Sequence, residues 1–318
     1  MSASGGGVDP RRNETGGGID HAPSVSVVIC TRDRSDDLER AVRSILDVST
    51  DTTELIVIDQ TVDAGRGRPS WADDPRVRWL PSATTGLSRA RNIGLAEARH
   101  EIVLMTDDDC TVRPDWMIEM AHVFARHPTA AAVFGTVDAT PCDDATGFVP
   151  AGPIRRSRLI RSVSRYDPGE GIGACSGFRR SAVLGIGGFD ELLGAGSQFR
   201  SGEEIDVALR LLLAGHHVAV STRPSVLHHG FRTHDDARTL IRGYMLGSAA
   251  CHGKLLRAGA LAVSVTWFRT IWASLAPPTR SALAARRLPR IAGRIAALAR
   301  GFAAGLRQPV DRTTLRFR

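Results

Sequence analysis

The chain has 318 residues, 42% hydrophobic and 24% charged, which suits a globular protein of one large domain with an appendage. No run of about 18 uninterrupted apolar residues occurs, since Arg269 breaks the best stretch (258–276), and no basic-then-apolar leader pattern opens the chain. Five cysteines without metal-type spacing fit a reducing cytoplasm. The net charge of +7 is unevenly placed: residues 277–318 hold ten arginines against one aspartate, so the rest of the chain is slightly acidic. Such a tail either meets an anionic surface or is simply solvated. Nucleic acid is disfavoured as a partner, because an acidic body with only two tyrosines offers no extended stacking surface.

In chain order, residues 1–22 are rich in glycine and polar residues without periodicity and read as a disordered tail. Val25, Val27, Val28 and Ile29 predict a buried strand ending at Thr31-Arg32-Asp33. Ser35 or Asp36 can cap a helix whose apolar face is Leu38, Ala41, Val42, Ile45 and Leu46. A second strand, 55–58, ends at Asp59, a helix follows over 88–98, and a third strand, 102–105, runs into Thr106-Asp107-Asp108-Asp109. Alternation of all-apolar strands with helices is the signature of a mainly parallel sheet covered by helices on both faces. Ligands bind beyond the carboxyl ends of such strands, where Asp33, Asp59 and the triple aspartate gather.

Three adjacent carboxylates repel one another unless a cation sits among them. Their hard oxygens suit Mg2+ or Mn2+, which bridge substrate phosphates through one or two carboxylates. Alternation along an extended stretch lets Asp107 and Asp109 share a face. A GxxxxGK[ST] loop and a GxGxxG after the first strand are both lacking, so a phosphate-bearing ligand held through a metal is what remains.

Five segments, in order, resemble the family 2 glycosyltransferases of GT-A fold, a resemblance covering about 24–259. They are VSVVICTRDR (25–34), TTGLSRARNIGLAEAR (84–99), IVLMTDDDCTVRPDW (102–116), GFRRSAVLGIGGFDE (177–191) and GEEIDVALRLLLAG (202–215). The resemblance implies a GT-A nucleotide-diphospho-sugar transferase domain over 23–235, followed by a helical, basic extension over 236–318. It implies inverting transfer from a nucleotide-diphosphate sugar to a glycan or lipid-linked acceptor. Thr31, Asp33, Asp59, Arg91, Asp107 and Asp108 would contact the donor. Asp109, with Asp107 and His228, would bind the metal. Glu204 would be the general base, with Glu203 and Asp206 as alternatives; Asp206 can instead brace the helix carrying Arg210. Two positions depart from the family pattern: Glu204 stands where the family usually has Asp, and Cys175 where members often carry Asn. A noncatalytic module of the same fold is the rival reading, against which the acids at 107, 109 and 204 stand.

Trp116 is expected to pack beneath the acidic loop, and Gly187-Gly188 to make a tight turn. Arg179-Arg180 would contact acceptor or solvent. Leu288, Ile291, Ile295, Leu298, Phe302 and Leu306 recur at helical spacing, with Arg287, Arg290, Arg294 and Arg300 outside the stripe and Pro289 in the first turn. That helix either packs on the catalytic domain or lies in a membrane interface. The segment 255–276, with Trp267, Phe268 and Trp272, favours the interface. A cytoplasmic protein peripheral on the inner face of the membrane follows, attached to an anionic surface by a tail separable from the chemistry.

Overall fold

The first strand, β1 (Val25–Thr31), is buried on both faces, and the computed structural model, which describes residues 24–62, 67–284 and 291–318, shows why. Val27 and Ile29 meet Leu38, Ala41, Val42 and Ile45 of α1 (Ser35–Leu46) on one face of the sheet. Val28 meets Ala90 and Leu95 of α2 (Leu87–Glu97) on the other. The residue preceding α1 is Arg34, and no side chain caps the helix there, so neither Ser35 nor Asp36 plays the expected role. The chain continues through β2 (Thr53–Asp59), β3 (Val77–Pro81), α2 (Leu87–Glu97), β4 (Ile102–Asp107), β5 (Cys110–Val112), α3 (Trp116–Arg126) and β6 (Ala130–Ala139). Then follow β7 (Gly147–Phe148), β8 (Arg158–Ile160), β9 (Ser176–Arg179), α4 (Arg180–Gly185), α5 (Glu203–Leu213) and β10 (His217–His228). Last come β11 (Arg232–Thr233), α6 (His234–Arg257), α7 (Val263–Ala284) and α8 (Ala292–Arg307).

Among the described residues these strands form a nine-stranded sheet ordered β3-β2-β1-β4-β9-β6-β10-β5, with β8 also pairing with β10. Strands β3, β2, β1 and β4 are mutually parallel. Strand β9 runs antiparallel to both β4 and β6, and β10 is parallel to β6. Two reversals restore the direction, so β10 ends at the same edge as β1, β2 and β4. That topology brings His228 to the acidic loop.

The C-terminal helices are part of this body. Helix α6 begins with a reciprocal cap between Thr233 and Asp236 and is buried almost all round in its second half. Helix α8 lies against it through glycines: a Cβ at Gly301 or Gly305 would collide with the carbonyl oxygens of Leu246 and Ala250. Leu298 is buried in this contact and Phe302 stacks on Trp267 at 4.9 Å, whereas Ile295 and Leu306 stay exposed. The α8 seam therefore faces α6, within the C-terminal extension; Arg287, Leu288, Pro289 and Arg290 lie outside the described residues, as does the tail 1–22. Beyond α8 the chain returns across the domain. Phe317 is buried against Phe199, its backbone N–H donates to Asp190 at 2.8 Å, and Arg316 donates to the Gly187 carbonyl. The expectation of a separable tail is thereby corrected, because its last residues complete the core beneath the Gly187-Gly188 turn.

Candidate active site

Beyond the strand ends lies one cleft of about 770 Å³, lined by Thr31, Arg34, Arg91, Asp107, Asp108, Asp109, Glu203, Glu204, His228 and Arg232, among others. Its first corner is the acidic loop after β4. The Asp109 Oδ1 lies 3.2 Å from the His228 Nε2, while the Arg34 guanidinium sits 3.0 Å from Asp108 and 2.9 Å from Asp109. Arg232 approaches Asp109 to 3.5 Å. Burial alone would raise the Asp109 pKa, but the His228 hydrogen bond and the charges of His228, Arg34 and Arg232 outweigh it and hold the carboxyl down at about 2. The space is kept by Gly230, since a Cβ there would press on the carboxylate and imidazole.

The second corner is the start of α5. Arg91, buried on α2, donates to Glu203 at 3.2 Å and to Asp107 at 3.4 Å, and its Nη1 is 3.9 Å from Glu204. It thus ties the acidic loop to the helix that carries the two glutamates. Glu204 is open to the cleft and accepts the Gly173 N–H at 3.2 Å. Glu203 is sealed behind it with one oxygen lacking a hydrogen-bond partner. Burial, then the neighbouring Glu204 charge, pushes Glu203 up to about 8. Burial likewise raises Asp107 to about 6, against the pull of Arg91.

The residues at the first corner fit a divalent cation. An ionised oxygen donor and an imidazole nitrogen stand adjacent, and the His228 Nδ1 is buried without a hydrogen-bond partner. Cys110 is near enough to join them, but burial raises its thiol pKa and leaves it a neutral, soft group unsuited to Mg2+ or Mn2+.

The family model described as Glycosyl transferase family 2 matches residues 26–186, about half of the chain. The chain belongs to glycosyl transferase family 2. It is 27% identical over 207 residues to a glucosyl-dolichyl phosphate glucuronosyltransferase of Haloferax volcanii, covering 59% of this chain and 63% of that one. It is 35% identical over 104 residues to the succinoglycan biosynthesis protein ExoO of Rhizobium meliloti, covering 32% and 30%. The chain thus spans less than two thirds of the length of these curated relatives. Among solved structures it resembles the mannosyltransferase PcManGT of Pyrobaculum calidifontis, in complex with GDP-Man and Mn2+. That match has a TM-score of 0.56 at 20% identity and covers 90% of this chain and 81% of that one. The fold is therefore GT-A, with a helical C-terminal part.

Within this family 2 fold, the expected site residues do not all converge. Thr31 lines the cleft and donates to Asp108 at 2.7 Å. With Arg34 on its other oxygen, Asp108 anchors the loop. Asp107 faces Arg91 and lies outside the Asp109–His228 group, so it is not placed as a ligand beside Asp109. Asp59 is buried beneath the rim, accepting from the Thr61 N–H and the Trp79 indole, and Asp33 is exposed with φ 59°. Neither lines the cleft. Asp206 cannot serve as base: it is fully buried, paired with Arg210 at 2.8 Å and Lys254 at 2.6 Å. Arg179 and Arg180 do not line the cleft; they donate to backbone carbonyls of Phe124, Ala130, Leu95 and Ala96. Cys175 is buried under the Trp116 indole at 3.3 Å and does not reach the cleft. Arg34 and Arg232 were missed. The signal for Arg34 was present, one residue past Asp33 in the first motif.

Proposed function

We propose that this protein transfers a sugar, with inversion, from a nucleotide-diphosphate donor to a hydroxyl of a glycan or lipid-linked acceptor. The observation that carries this reading is the placement of the Asp109–His228 pair and the open Glu204 in one cleft, joined through Arg91 and Asp107. Glu204 takes the proton from the acceptor hydroxyl as that oxygen bonds to the anomeric carbon and the bond to the diphosphate breaks. Asp109 and His228 would hold Mg2+ or Mn2+, which supplies positive charge to the departing diphosphate. Arg34 and Arg232, freed from Asp109, turn to the phosphate oxygens. Arg91 keeps Glu203 and Glu204 in register with the acidic loop. Thr31 and Asp108 shape the donor side.

Among the described residues no helix is long and apolar enough to cross a membrane. Work at an anionic membrane surface on the cytoplasmic side fits the arginine-rich C-terminal region and a lipid-linked acceptor. A thermal-shift screen of nucleoside diphosphates and their sugars with Mn2+ tests the reading. One nucleotide series should stabilise the protein by mass action, and its sugar should yield free nucleoside diphosphate on addition of acceptor. Stabilisation by none of them, with or without Mn2+, overturns it.

A further inference from the structure

Among its described side chains, helix α7 carries the largest exposed apolar ones on one side. Leu261, in the turn before the helix, is 74% exposed, Val265 41%, Phe268 68% and Trp272 57%. Their spacing of four, three and four residues aligns them along the axis. On the opposite side Val263, Thr266 and Thr270 are buried, and Trp267 turns inward to stack on Phe302. The helix is therefore seated on the domain by one face and presents an aromatic and aliphatic ridge with the other.

The charge beside that ridge is mostly positive. Arg269 flanks it, and its guanidinium reaches the Tyr166 carbonyl at 2.9 Å. That contact fixes the segment after β8 beside α7, where Val163 is buried. That segment exposes Arg161 and Arg165, while Arg155 and Arg156 are exposed ahead of β8; no aspartate or glutamate occurs between Asp144 and the exposed Asp167. None occurs between Asp236 and Asp311 either, so α6 beyond its first turn, α7 and α8 carry no carboxylate.

We infer that the α7 ridge and the Arg161–Arg165 segment together form a docking surface for an anionic phospholipid bilayer, with Val265 and Phe268 entering the headgroup boundary. A ridge of aromatic and aliphatic side chains with Arg269, Arg161 and Arg165 beside it matches a plane of phosphates over hydrocarbon. A second copy of the chain would oppose arginine to arginine. The basic segment springs from the cleft itself: Pro150 and Ala151 before it, and Pro168 and Gly171 after it, line the wall. A lipid-linked acceptor held in that bilayer would thus meet the cleft without leaving the membrane. This last consequence rests on the proposed transfer reaction; the docking surface does not.

The test is co-sedimentation of the full chain with phosphatidylglycerol–phosphatidylcholine vesicles and with phosphatidylcholine alone. Binding to the first, weakened by salt, and little to the second is expected. The double variant Val265→Ser/Phe268→Ser should lower partitioning at least about tenfold, and Arg161→Gln and Arg165→Gln roughly fivefold each at low salt. All these positions are exposed, so melting temperature and nucleotide-induced stabilisation should match the parent. The inference is overturned if the parent ignores anionic vesicles or if the variants bind like it. It is equally overturned if light scattering shows a dimer that Val265→Ser/Phe268→Ser dissociates, because the ridge is then a contact between copies. Lack of nucleotide stabilisation would sink the transferase reading and leave the vesicle result standing.

Discussion

Helix α5 separates two clusters of carboxylates and cations that are alike in composition and opposite in freedom. Behind it, Asp190 and Asp206 meet Lys254 and Arg210, all of them at most 1% exposed. In front of it, Asp108 and Asp109 meet Arg34 and Arg232, whose side chains are 41% and 29% exposed. A sealed, fully paired cluster cannot exchange a partner without stranding a charge in low dielectric. The open cluster can, since water receives whichever cation is displaced. The same chemistry therefore fixes the position of α5 on one side and leaves Asp109 available to a metal and a diphosphate on the other.

The comparison is broken most directly at Lys254. Lys254→Met removes a cation bound at 2.6 Å to both aspartates and should cost about 3–5 kcal/mol of stability, the usual penalty for stranding a buried charge. Arg34→Gln, in the open cluster, should change stability by no more than about 1 kcal/mol. Urea unfolding of the two variants decides the matter, and similar losses would show that exposure does not separate the clusters.

Next in size is Glu204→Gln, which should cut turnover by roughly 10²- to 10⁴-fold with donor affinity and melting temperature nearly unchanged. Single-turnover kinetics with saturating donor reads the effect. A crippling Glu203→Gln beside a mild Glu204→Gln would transfer the role to the sealed glutamate. Asp109→Asn should then weaken Mn2+ binding by roughly 100-fold or more, since even losing a group that merely orients a ligand costs 10- to 100-fold. Paramagnetic resonance of free Mn2+ measures this without reference to catalysis, and unchanged affinity would remove the metal from this corner.

What the sequence made legible follows from where information is local. The period of 25–29, 55–58 and 102–105 and the polar residues closing each run are properties of short segments, and they located the cleft and its acidic loop. Side-chain direction is not local. Asp206 shares the first turn of α5 with Glu203 and Glu204, yet it points to Lys254 on α6. Arg179 and Arg180 stand beside a motif but satisfy backbone carbonyls from other elements. His228 reaches Asp109 only because β9 reverses the sheet and β10 restores it, a matter of strand order that periodicity does not carry. The closing segment was illegible for the same reason: nothing around Phe317 marks it as core until Phe199 and Lys254 are folded against it.

The smallest expected effect sharpens the contrast within α5 itself. Glu203 has an ordinary carboxyl value of 4.5 when the chain is unfolded and is pushed up to about 8 in the fold by burial and by the Glu204 charge. Between those two values the folded protein holds a proton that the unfolded chain has released. Stability from this group is thus complete below pH 4.5, declines as pH rises through the window and is exhausted above about 8. Arg91 at 3.2 Å offsets part of the loss by stabilising the ionised form. Glu203→Gln keeps the shape and cannot titrate, so its melting temperature should fall less than the parent's between pH 5 and pH 8.5. A difference on the order of 2 °C is expected. Asp107, raised to about 6, contributes a slope of the same sign in both proteins. Parallel melting curves across that range would mean that Glu203 is ionised throughout, held by Arg91 as a fixed pair, and that the front of α5 is as locked as the back.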